Sequence, residues 1–148
     1  MAREDYQKAL KKGERTYARC LSEGKYPYLQ VLEELLSHTD VVAEENLGIC
    51  AVPSELIVGT YTVGRRTAFA PDFMPLLEPE SEFAAKWQAL YNAHLDEGIH
   101  DPIKCYEFMN RYYVLEGNKR VSVMKYCGPP RSRSRRCPRT RWARRRRC

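Results

Sequence analysis

Apolar residues recur at helical spacing near the start of the chain. Tyr6, Leu10, Tyr17 and Leu21 fall on one face of residues 5–23, with Lys and Arg between them. This spacing predicts an amphipathic helix, weakened by Gly13 in its interior. After Pro27, the residues Val31, Leu32, Leu35 and Leu36 predict a second short helix. "TDVVAEENLG" reads as a linker, and "LGICAV" as a short strand running into "PSELIVGT". The next stretch, "YTVGRRTAFAPDFMPLLEPE", carries Gly64, three prolines and no stable period, so it predicts a long loop. Ordered loops of that length in compact domains are often functional.

The clearest helix begins after Ser81, a good N-cap. Phe83, Ala84, Trp87, Leu90, Tyr91, His94 and Leu95 share one face, and Gly98 ends it. "PIKCYEF" and "YYVLE" flank "MNR" as a hairpin. Gly117 closes the second strand, and residues 118–126 form the last helix. Helices, strand, loop, helix, hairpin and helix in that order predict an α+β domain with a small mixed sheet and no internal repeat.

Length and charge sharpen this picture. A chain of 148 residues suffices for one core. The net charge of +6 suggests a nucleic-acid binder, but ten of the 17 arginines lie between Arg131 and Arg147, where no acidic residue occurs. The other 15 basic residues face all 19 acidic ones, leaving the body near −4. Such a body has no general attraction for nucleic acid, so an anion site in it must be local. The six cysteines form no CxxC pair and no Cys/His metal spacing. With no secretory leader pattern and no run of 18 apolar residues, the expectation is a cytoplasmic chain with reduced thiols, no metal and no membrane span.

Candidate chemistry gathers in "YYVLEGNKRVSVMKY", residues 112–126. A strand that stops at a glycine and turns straight into a helix exposes unpaired N–H groups at the positive end of the helix dipole. Glycine lets the backbone turn sharply and approach a ligand. Asn118 can cap or donate, Lys119 offers a point charge, and Arg120 offers a planar fork suited to phosphate. The residues fit a phosphate site and a structural ion pair equally, the latter joining Arg120 to Glu116 or Glu107. Glu116 is also placed to act as a base or metal ligand, although such glutamates are more often solvated. His94, on an apolar face, reads as a satisfied core histidine. Tyr112 and Tyr113 alternate on a strand, which leaves one ring available for stacking.

"DEGIHDPIKCYEFMNRYYVLEGNKRVSVMKY" resembles the core of the ParB N-terminal/sulfiredoxin-like fold. In that fold a "P-I" strand pairs with a "Y-x-V-x-x-G" strand, and a G-x-x-R box opens the next helix. The resemblance covers residues 47–126, with "VPSELIVGT" similar to the opening strand. More narrowly, 1–126 resembles bacterial proteins that carry this module at the N-terminus of a longer chain.

The resemblance implies a phosphate or nucleotide site at Gly117, Asn118, Lys119 and Arg120, assisted by Arg65 and Arg66 in the loop that a ligand would order. It also implies CTP or ATP, with Mg, as ligand. ParB-type members bind and hydrolyse CTP and clamp DNA, sulfiredoxins use ATP, and some relatives have been called nucleases. Sulfiredoxins place a cysteine directly after the box glycine, where this chain has Asn118, so thiol chemistry is not expected. The 22 residues after Tyr126 cannot hold a helix-turn-helix region, which leaves sequence-specific DNA reading unsupported. The insertion around "TAFAPDFMPLL" also departs from the compact family loop. The expected function is a nucleotide- or phosphate-binding regulatory module, the alternative a hydrolase or nuclease of the same fold using Glu116.

Residues 127–148, "CGPPRSRSRRCPRTRWARRRRC", contain no Lys, Asp, Glu, Leu, Ile or Val. This composition predicts disorder and resembles a GC-rich gene read out of frame. The expectation is a frameshift product replacing further fold and a downstream domain. As it stands, the tail offers nonspecific DNA or RNA binding as a third function. The predicted organisation is a helical region at 1–46, the ParB/sulfiredoxin-like domain at 47–126 and the Arg-rich tail.

Overall fold

The computed structural model describes residues 2–36, 43–46, 50–61, 63–96, 103–128 and 139–147. Helix α1 spans Ala2–Ser22, and a short strand β1 (Gln30–Val31) leads into α2 (Leu32–Leu36). Strands β2 (Ala43–Asn46), β3 (Cys50–Ala51) and β4 (Ile57–Thr60) follow. A 3-10 turn at Val63–Ala68 precedes α3 (Glu82–Asp96). The hairpin β5 (Ile103–Phe108) and β6 (Arg111–Glu116) then feeds α4 (Asn118–Cys127), and β7 covers Arg139–Arg147. The chain is an α+β fold around a mixed sheet.

Four strands form one side of the sheet in the order β1-β4-β6-β5. β1 and β4, and β4 and β6, run parallel, while β5 and β6 run antiparallel. Beyond β5 the sheet continues through β7, which pairs parallel to β5 and antiparallel to β2 and β3. Side chains alternate between the faces. Ile103 and Cys105 of β5 and Val114 of β6 join the main core, whereas Tyr106, Phe108 and Tyr113 pack on Leu32 on the other face.

Two expectations about this region are corrected. The predicted linker contains β2, and the composition-based disorder of the tail gives way to β7 over residues 139–147. The reason is available pairing: β5 presents a six-residue row of backbone donors and acceptors on its outer side, and such an edge accepts a strand with little regard for composition. Residues 129–138 and Cys148 of the predicted tail lie outside the described residues.

The main core binds all three long helices together. Tyr6 and Ala9 of α1 share it with Phe83, Ala84 and Trp87 of α3 and with Val121 and Val123 of α4. The predicted helical region at 1–46 is therefore not a separate unit in its described part. The buried stripe of α1 is Tyr6, Ala9, Gly13, Thr16 and Cys20, rotated from the expected one, and Leu21 is 54% exposed. Gly13 explains the rotation. A Cβ there would lie 2.3 Å from the Pro75 carbonyl oxygen, so the residue lets the helix close on the chain at Met74–Pro75.

The aperiodic segment 61–80 is core rather than a free loop. Phe69 and Phe73 are fully buried, with Ala70 and Met74 beside them. Each buried Phe contributes about 1.5–3 kcal/mol, which orders the segment without any ligand. Asp72 accepts a hydrogen bond from the Thr16 hydroxyl at 2.7 Å and another from the Met74 N–H at 3.0 Å.

Candidate functional site

The hairpin delivers the site. Its two-residue turn, Met109–Asn110, has φ of 51° and 64°, the conformation that matches strand twist in tight hairpins. The buried Glu107 carboxylate accepts the Asn110 N–H at 2.9 Å and fixes the turn. β6 ends at Glu116, which pairs with Lys104 after a one-residue bulge in the ladder, and Gly117 follows at φ 110°, ψ 26°, a left-handed conformation that favours glycine. The Gly117 carbonyl accepts the Val121 N–H at 3.0 Å, closing the first turn of α4. Among the described residues no side chain caps that end, and the backbone N–H groups of its first turn have no partner within the helix.

Side chains gather around this opening. The Arg120 guanidinium folds back over Gly117, so that a Cβ on the glycine would sit 3.2 Å from Nη2 and 3.3 Å from Nε. Lys119 Nζ lies 5.5 Å from the centre of the Phe83 ring, a cation–π contact that draws it toward α3. Asn118 Oδ1 is buried without a hydrogen-bond partner among the described residues.

These residues line a cleft of about 590 Å³ between α3 and the start of α4. Lys119, Arg120 and Lys86, the last in an exposed pair with Glu82 at 3.2 Å, supply three cations to it, and Glu116 one carboxylate. Phe69, Phe83, Leu90 and Leu115 add apolar surface to the same lining. The cleft is much larger than a phosphate ion requires and combines cationic groups with apolar side chains. Chemically it suits an anion attached to an apolar or flat body.

Four of the predicted site residues, Gly117, Asn118, Lys119 and Arg120, meet here, with Glu116 beside them. The Glu116 carboxylate lies 3.6 Å from Lys104 Nζ across the hairpin, an exposed pair of small energetic weight. Arg66 is elsewhere. It pairs with Glu34 and lies 5.9 Å from the Tyr26 ring centre, because the 3-10 turn carrying it packs beside β1 and β4. The side chain of Arg65 lies outside the described residues. Tyr113 is buried, whereas Tyr112 is half-buried and packs against the main core.

Sequence reasoning missed Lys86, Phe83 and Leu90 as cleft residues. Their only signal was a helix flank, and nothing local says that this flank faces Gly117. It also missed two buried polar contacts that hold the site's frame. Trp87 Nε1–H donates to Ser122 Oγ at 2.9 Å, tying α3 to α4. Lys125 Nζ donates to the Ile57 carbonyl at 2.7 Å and lies 5.1 Å from the Phe73 ring centre, tying α4 to β4. Burial lowers the Lys125 pKa, partly offset by Asp72 and Glu55.

The expected core histidine is only partly satisfied. His94 Nδ1 is buried with no hydrogen-bond partner among the described residues, and desolvation lowers its pKa. Burial likewise pushes the Cys127 thiol up to about 11, which disfavours a thiolate there. Among the described residues no three His, Cys, Asp or Glu side chains form a metal-binding group, and no helix is long and apolar enough to cross a membrane.

In comparisons with known proteins, the chain matches no family model, no curated protein and no solved structure.

Proposed function

We propose that this chain is a nucleotide- or phosphate-binding regulatory module of the ParB/sulfiredoxin-like type, with CTP or ATP, and Mg, as the ligand. The observation carrying this reading is the left-handed Gly117 opening α4 beneath the Arg120 guanidinium, in a cleft of about 590 Å³ that Lys86 and Lys119 also line. Arg120 grips a phosphate through its fork, Lys119 and Lys86 add charge, and first-turn N–H groups complete the cradle. The apolar side chains receive the rest of the ligand. Arg66, committed to Glu34, takes no part.

Thermal unfolding and calorimetry on the full chain test this with CTP, ATP and GTP, with and without magnesium. A nucleotide at about 100 times its dissociation constant adds about 2.7 kcal/mol of stability. Arg120→Ala should remove that gain while the protein stays folded. Absence of a shift with all three nucleotides and with inorganic phosphate would make the box a structural turn.

The alternative, a nucleotide hydrolase or nuclease, is favoured by one observation, that Glu116 lines the same cleft. Product turnover abolished by Glu116→Gln would select it, whereas a binding module releases its ligand unchanged. Nonspecific DNA or RNA binding through the Arg-rich tail is a third activity, and it should weaken steeply with salt.

A further inference from the structure

A second groove, of about 290 Å³, lies away from Gly117 and shares no residue with the cleft. It is lined by Glu14 and Tyr17 of α1 and by Tyr28, Thr67 and Leu76. The rings of Tyr17 and Tyr28 meet at 59° with centres 5.6 Å apart, forming a corner. Tyr26 braces the back of Tyr28 at 5.7 Å and 72°. The Tyr17 hydroxyl beside it holds the Tyr28 phenol above its usual pKa. Both rings line the groove, and Glu14, also in its lining, has no ion pair among the described residues.

We propose that this groove is a binding site for a quaternary or methylated ammonium group, with Tyr17 and Tyr28 as its walls and Glu14 as its counter-charge. Aromatic faces attract cations through the ring quadrupole, and two rings at an angle act on one charge together. A primary ammonium carries three strongly hydrated N–H donors, and pressing it against an aromatic ring strips part of that water. A methylated ammonium brings charge and apolar surface without that cost. Of the nearby cations, Arg66 is paired with Glu34, and Lys25 with Glu23 at 3.0 Å.

The test is an NMR titration of the tyrosine ring protons of the full chain with choline and with tetramethylammonium at constant ionic strength. The control is the neutral isostere of choline in which carbon replaces nitrogen. Saturable shifts at Tyr17 and Tyr28 with both cations, and much weaker ones with the isostere, are the expected result. Losing one ring or the counter-charge, in Tyr28→Leu or Glu14→Gln, should weaken binding by about two- to fivefold. Glu14 is exposed on α1, so its variant reports on the site rather than on folding. Equal binding of cation and isostere, no saturation at these rings, or unchanged affinity in Glu14→Gln would each overturn the assignment.

Discussion

Two glycines show how differently the same residue is legible. Gly117 stands out in sequence because a strand pattern stops and a helical one starts there, and its φ of 110° is what that junction requires. Gly13 reads as a flaw in α1, yet it is the point where the helix touches the Pro75 carbonyl. Gly13→Ala should therefore destabilise the protein, although alanine is the better helix former by about 1 kcal/mol. Overpacking against a backbone oxygen costs about 1–3 kcal/mol, more than the propensity gain. Chemical denaturation measures the balance, and a stabilised variant would show that α1 can move off the 74–75 segment freely. Arg65 and Arg66 illustrate the opposite case: adjacent arginines in a loop carry no information about direction, and Glu34 and Tyr26 decide where Arg66 goes.

At the scale of elements, termini are more legible than faces. Ser81 precedes α3 as expected, and its Oγ accepts the Ala84 N–H at 3.1 Å. Ser81→Ala should lower stability by about 1 kcal/mol, whereas Ser81→Asp should retain most of it, measured as a shift in denaturation midpoint. An equal loss in both variants would indicate that the Ser81 hydroxyl acts elsewhere, for instance through its 2.6 Å bond to the Glu78 carbonyl. The faces were harder to read. On α3 the stripe holds for Phe83, Ala84 and Trp87, but Leu95 is 61% exposed. On α1 small residues replace the expected large ones against the core, since close approach selects Ala9, Gly13 and Thr16 over Leu10 and Tyr17.

Across the whole molecule, buried polar groups set the pH response. Desolvation lowers the His94 pKa in the folded state, so the unfolded chain binds the proton more readily. Stability then falls as pH drops below the unfolded value of about 6.5 and rises again toward neutrality. His94→Gln, which cannot take up that proton, should flatten the dependence of melting temperature between about pH 7 and 5.5. A variant as pH-sensitive as the original would assign the effect to other groups.

The alternation in β5 and β6, the tight turn between them, the cap of α3 and the glycine before α4 were determined by the sequence itself, because each depends on neighbours a few residues away. The α+β class and the cluster at Gly117, Asn118, Lys119 and Arg120 followed from them. Tertiary structure decided the rest. It brought Lys86 and Phe83 to the box, buried the aperiodic 61–80 segment, turned Arg66 toward Glu34 and placed β7 on the edge of β5. Those outcomes depend on which surfaces meet, and contacts between residues far apart in the chain leave no periodic trace in either partner.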